Sequence, residues 1–182
     1  MVTANGVSVR LTEVEAYAGI TDPASHGFRG PTRRTEVMFG PPGYVYVYFV
    51  YGMHWCANLV CRPPGEAAAV LLRAGEVTAG HPLAQARRPA ARIPNDLARG
   101  PAKLAGILAL TGADTGSDLC APTGILRVRP PTVAVPDALV ASGPRVGVAA
   151  AADRPWRFWL VGDPTVSGYR PAVRRQRRLD TG

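Results

Sequence analysis

Two stretches of this chain combine residue types that could do chemistry on a flat ligand. Thr12-Glu13-Val14-Glu15-Ala16-Tyr17 sets two glutamates and a tyrosine at alternate positions, and Tyr44-Val45-Tyr46-Val47-Tyr48-Phe49-Val50-Tyr51 holds four of the six tyrosines. An aromatic at every second position of a β-branched run predicts a strand with one ring-bearing face. Such a face either fills a core or forms a platform for stacking, and nucleobases are the commonest flat ligands in a cell. A carboxylate beside the platform could act as a general base.

The elements that must position these groups are legible in outline. Val7 to Tyr17 alternates apolar and polar residues and predicts a strand carrying Glu15 and Tyr17 on one face. Residues 22–42 form a long loop with Arg29, Arg33 and Arg34 among glycines and prolines, a length that in compact domains usually serves function. The tyrosine strand and a second run from Trp55 to Cys61 predict a hairpin with Gly52 near its tip. Ala67 to Leu72 is an apolar run closing on Arg73, followed by an irregular stretch to Arg99. Pro101 to Leu110 predicts a helix with proline in its first turn, an apolar stripe, and Gly112 as its stop. Ile125 to Val135 and Arg157 to Val161 read as strands, and 168–182 as a basic, flexible tail.

A chain of 182 residues predicts one domain, large enough to bury a core without metal or disulfide staples. No apolar run reaches the roughly 18 residues of a membrane span. The N-terminus lacks the features of a secretory signal, which predicts a cytoplasmic protein. Cys56, Cys61 and Cys120 lack zinc-ligand spacing and are expected to be buried apolar residues. The formal charge is +8, with Lys103 the sole lysine. Either GC-rich coding or a polyanionic partner, most naturally nucleic acid, accounts for that charge, and arginine suits phosphate because its fork binds two oxygens.

Taken in order, Glu15-Ala16-Tyr17, His26, Tyr46-Val47-Tyr48, Tyr51-Gly52-Met53, Asn58 and Leu71-Leu72-Arg73 resemble the alkyladenine DNA glycosylase family, also called 3-methyladenine or methylpurine DNA glycosylases. The resemblance continues through Leu97 to Leu104, Arg145-Val146-Gly147-Val148 and Trp156 to Trp159. It implies a single α/β (α+β) domain with a curved, mostly antiparallel sheet flanked by helices. The implied activity is excision of damaged purines from double-stranded DNA by a monomeric, cofactor-free enzyme that flips the nucleotide out of the duplex.

By resemblance Glu15 is the base that activates water, with Glu13 its rival on the same face and expected to be dispensable for release. Arg73 helps hold that water or contacts a phosphate. Tyr17, Tyr48 and His26 sandwich the flipped base, whose electron-poor ring favours aromatic stacking. Main-chain groups near Ala24 and Val146 bond its edge, and Asn58 excludes guanine by crowding its amino group. Tyr51 fills the gap in the duplex, with Met53 and His54 beside it in the minor groove. Family members usually carry a further helix and strand upstream, so either the chain is truncated or its start is assigned too late, and if the missing strand pairs with Val7 to Tyr17 a bare sheet edge is expected there. With Lys103 assigned to a helix, a Schiff-base mechanism is disfavoured and a monofunctional hydrolase is expected. Two other readings remain: a non-catalytic nucleic-acid-binding module, and a hydrolase of small nucleosides.

Overall fold

The computed structural model describes residues 1–172. The described residues form one domain around a curved antiparallel sheet of eight strands: β1 (Val2–Ala4), β2 (Val7–Tyr17), β3 (Val45–Val50), β4 (His54–Val60), β5 (Ala69–Ala79), β6 (Leu126–Val128), β7 (Val140–Gly143) and β8 (Arg157–Leu160). The principal order is β3-β4-β5-β2-β1-β6, with β8 joining β2 and β7 joining β8. Two helices, α1 (His81–Arg87) and α2 (Pro101–Ile107), lie against one face.

Period-2 alternation assigns the two faces different work. Val45 and Val47 on β3, Ala57 on β4 and Leu72 on β5 join Leu104, Ile107 and Leu108 in the main core. The residues between them, Tyr46, Tyr48, Cys56, Asn58, Leu71 and Arg73, turn to the opposite face. There Met38, Tyr46, Val60, Ala67 and Ala69 make a second, smaller core under the 22–42 loop.

Where β2 meets β5 the ladder is irregular. Leu11 pairs with Gly75, Glu13 with Ala74 and Val14 with Leu72, so Thr12 and Arg73 each stand as an extra residue. An extra residue in a strand reverses which face its successors occupy and re-aims side chains. Val7 and Val9 therefore enter the main core, whereas Glu13, Glu15 and Tyr17 serve the other face. Gly75 permits the close approach: a Cβ there would lie 2.4 Å from Val9 Cγ1 and 2.5 Å from the Arg10 carbonyl oxygen.

Several expectations change. β5 does not stop at Arg73 but runs six residues further to Ala79, because its distal half pairs with β2. The irregular stretch after it contains α1. Helix α2 ends at Ile107 rather than at Leu110, since Ala109 takes the left-handed conformation that breaks it before Gly112 is reached (φ 50°). Of 125–135 only Leu126–Val128 is a strand, because only β1 offers it a partner. The edge of β2 is not bare: β1 covers its first part and β8 its last. Cys56 is buried as expected, but Cys61 and Cys120 are exposed in loops. The basic tail lies largely outside the described residues; its described beginning is docked, with the Arg170 carbonyl accepting a hydrogen bond from the Gly147 N–H at 2.8 Å.

Candidate active site

On the face opposite the main core the sheet's curvature, with Pro101 and Ala102 of the first turn of α2 at its border, encloses a cavity of about 330 Å³, near the small end of the range for ligand pockets. Its lining draws Glu15 and Tyr17 from β2, Tyr48 from β3, Asn58 from β4, Arg73 from β5, Ala24 and His26 from the long loop, and Val146 from the loop before β8. Tyr51 and His54 stand at its mouth. Ten of the eleven residues singled out from the sequence thus meet in one place. The eleventh, Met53, sits 67% exposed on the hairpin tip beside them.

Glu15 is fully buried within β2, not a surface carboxylate at a strand end. Its Oε1 accepts the Val146 N–H at 2.7 Å and lies 3.2 Å from Arg73 Nη1; its Oε2 accepts the Tyr17 hydroxyl at 2.8 Å. Glu13 is equally enclosed but does not line the cavity. Its carboxylate accepts Arg73 Nε and Arg157 Nε, each at 2.7 Å, and both the N–H and hydroxyl of Ser167, at 2.7 and 2.9 Å. Burial pushes the Glu13 carboxyl up, but the charge of Arg73 and the bonds from Ser167 and Arg157 outweigh it and hold it below 4.5. Position, not residue type, separates the two glutamates.

The aromatic walls differ from a simple tyrosine platform. Tyr46 is in the second core, and its hydroxyl meets His26 Nδ1 at 3.0 Å. His26 packs edge-on to Tyr48, centroids 4.5 Å apart, so the histidine is fixed by the strand behind it. Desolvation among the rings and the charge of Arg34 push the imidazole below 6.5, toward the neutral form. Burial, with Glu15 next to it, raises the Tyr17 hydroxyl well above 10, so it remains a donor.

Arg145 was not assigned a role from the sequence. It is 1% exposed and forks onto Asp22, at 2.5 and 2.9 Å, while bonding the Ala16 carbonyl at 2.9 Å. Its guanidinium lies 4.6 Å from the Tyr17 ring centroid and does not line the cavity, so it backs Tyr17 from behind. The pair ties the loop of Ala24 and His26 to the wall of Val146. The Ala24 N–H is already given to Asp22 and the Val146 N–H to Glu15, which leaves a ligand the carbonyls of these two residues. Arg157 and Ser167 were missed as well, because β8 and the loop after it, both distant in sequence from Glu13, bring them there.

Asn58, 5% exposed, donates to the Tyr46 carbonyl at 3.2 Å while lining the cavity, so its side chain is held in place. Tyr51 is 85% exposed, and both it and Gly52 adopt left-handed backbone (φ 55° and 68°). Lys103 bonds Asp96 at 2.6 Å and does not line the cavity.

A family model described as methylpurine-DNA glycosylase matches residues 1–164. Proteins of similar sequence include one from Frankia casuarinae, 52% identical over 92% of this chain and 82% of its own length, and one from Streptomyces avermitilis, 53% identical over 94% and 81%. A third, from Mycobacterium tuberculosis, is 47% identical over 97% and 88%. All three bear the name "Putative 3-methyladenine DNA glycosylase".

Proposed function

The chain belongs to the methylpurine-DNA glycosylase family, hydrolases of N-glycosyl bonds that act on DNA, and on that premise we propose how this one works and on what. It takes alkylated and deaminated purines, 3-methyladenine, 7-methylguanine and hypoxanthine among them, out of damaged double-stranded DNA and hydrolyses them from the sugar. It acts as a monofunctional monomer in the cytoplasm, where its bacterial relatives keep their DNA. The observation that carries this reading is a buried carboxylate, Glu15, held by three donors in a cavity walled by Tyr17, Tyr48 and His26.

In this reading Glu15 accepts a proton from water as the oxygen bonds to the anomeric carbon. The glycosidic electron pair leaves with the purine, which a positive charge on an alkylated base makes easier. Arg73 Nη1 and the Tyr17 hydroxyl keep the carboxylate aimed, so little reorganisation accompanies proton transfer. Tyr17 on one side and Tyr48 with His26 on the other stack the extruded base, the Ala24 and Val146 main chain meets its edge, and Asn58 crowds a guanine amino group. Tyr51 enters the minor groove, flanked by Met53 and His54, and fills the vacated stack.

A hydrolase of small nucleosides would gain nothing from Tyr51 projecting into solvent at the pocket mouth, and a pure binding module gains nothing from burying Glu15 beside Arg73. The test is base release from duplexes each carrying one lesion, run beside the same lesions in single strands and as free nucleosides. The reading expects release from duplex DNA with little from nucleosides. Equal turnover of free nucleosides would overturn it.

A further inference from the structure

We infer that Glu13 is a positioning residue for the reaction: by drawing Arg73 onto itself, it limits how tightly that arginine clamps Glu15 and so leaves Glu15 free to take a proton. This rests on the assignment of Glu15 as the base. The geometry is a competition of two carboxylates for one guanidinium. Arg73 gives its Nε to Glu13 at 2.7 Å and its Nη2 to Ser167 Oγ at 3.3 Å. Only Nη1 remains for Glu15, in a single longer contact of 3.2 Å.

An arginine free to choose would fork onto Glu15 with two N–H groups, the strongest arrangement a carboxylate can accept. A carboxylate held that way is a poor base, because protonation would forfeit both bonds. The irregular register of β2 against β5 is what prevents it: Arg73 is an extra residue on β5, and it faces Glu13 and Glu15 together. Glu13 is itself over-provided with donors, since Arg157 Nε reaches the same Oε1 at 2.7 Å. Arg157 is thus a rival of Arg73 and sets how much of Glu13 is left to hold it.

The other ionisable groups around the two carboxylates are Tyr17 on β2, Tyr48 on β3, Cys56 and His54 on β4, His26 from the long loop across the same cavity, and Arg145 with its partner Asp22. None bridges Glu13 and Glu15. Burial would lower Arg73, but the charges of Glu15 and Glu13 outweigh that and raise it, so it remains a cation throughout the working range.

Opposite signs distinguish positioning from simple structural support. In Glu13→Gln a negative charge disappears and Arg73 turns to Glu15; both effects favour the ionised base and move the acid limb of the rate toward lower pH. In Arg157→Gln a positive charge disappears and Glu13 holds Arg73 alone, so the limb moves toward higher pH. Arg157→Gln is also the milder change, because Glu13 keeps Arg73 and both groups of Ser167.

The measurement is single-turnover release of 3-methyladenine from methylated duplex DNA as a function of pH. That lesion leaves from a cationic state and the enzyme is kept in saturating excess, so the acid limb reports the base rather than a proton donor to the purine or the weaker binding that protonated His26 brings. Expected are a shift of about one pH unit in each direction, the scale of one neighbouring charge, and, in place of the dispensability expected from the sequence, a plateau reduced about 10- to 100-fold in Glu13→Gln through misplacement of the Arg73 bonded to it. Limbs that coincide with the parent's in both variants, whatever the rate, would overturn the inference and leave Glu13 a structural residue. Should Glu13→Gln not fold, the Arg157→Gln limb decides alone. Glu15→Gln, measured alongside, separates the two failures: an active Glu15→Gln refutes the base assignment, and an inactive one with unmoved limbs elsewhere refutes only the role of Glu13.

Discussion

Each residue of the pocket has a measurable task. The Tyr17 hydroxyl donates to Glu15 from the ring proposed to stack the base, so Tyr17→Phe separates the two proposed tasks. A hydrogen bond to a charged group is worth about 1.5–3 kcal/mol. Tyr17→Phe should accordingly keep lesion binding while single-turnover excision falls about 10- to 100-fold; equal loss of binding would mean that the ring, not the hydroxyl, matters. Asn58→Ala should admit guanine, because removing an obstruction changes the rejected substrate most. Release of unmodified guanine rising above background while hypoxanthine release changes little is the expected result, and background guanine release would make Asn58 structural. His26, pushed below 6.5, is neutral at pH 7 and gains charge only as pH falls through its lowered value. An imidazolium repels a cationic purine, so binding of such a lesion should weaken on acidification more in the parent than in His26→Gln.

The elements explain why these residues meet. The strand over Val7–Tyr17, the hairpin closed at Gly52 and the pairing of Glu15 with Tyr17 are all legible from alternation and turn chemistry, which are local signals. The extra residues at Thr12 and Arg73 are not legible, because an irregular register belongs to two strands at once. For the same reason β5 looked finished at Arg73, and the partners of Glu13 arrived unannounced from β8 and the 161–168 loop. Arg145 lies in the Arg145-Val146-Gly147-Val148 motif, yet nothing near it in sequence indicates Asp22 as its partner. At the hairpin tip function and stability oppose each other. Tyr51 holds a left-handed backbone that costs an ordinary residue about 1–2 kcal/mol and glycine nothing. Tyr51→Gly should raise the unfolding free energy by about 1 kcal/mol while excision from duplex DNA falls more than excision from single strands; equal impairment of both substrates would contradict the wedge role.

Across the molecule, charge governs both the meeting with DNA and resistance to acid. With a formal charge of +8, duplex binding should weaken steeply with salt, each neutralised phosphate adding about −0.9 to the slope of log K on log salt. Tyr51→Gly should leave that slope unchanged, since it removes no charge. Glu13 and Asp22 are both held below their ordinary values of 4.5 and 3.8: burial opposes this, but Arg73 with Ser167 in one case, and Arg145 with the Ala24 and Ala18 N–H groups in the other, prevail. A depressed carboxyl stabilises the fold fully above its unfolded value and ceases to do so as pH falls through the folded one. Stability should therefore decline with acid from about pH 4.5 downward, and Asp22→Asn should flatten part of that decline in denaturant titrations. The central claim is that a buried carboxylate facing an aromatic pocket activates water against a flipped purine nucleotide. Glu15→Gln tests it most directly, with lesion-duplex affinity and single-turnover release measured on the same preparation. The account predicts affinity within a few-fold of the parent and release reduced at least about 100-fold. Release near the parent rate would contradict it and place the base elsewhere.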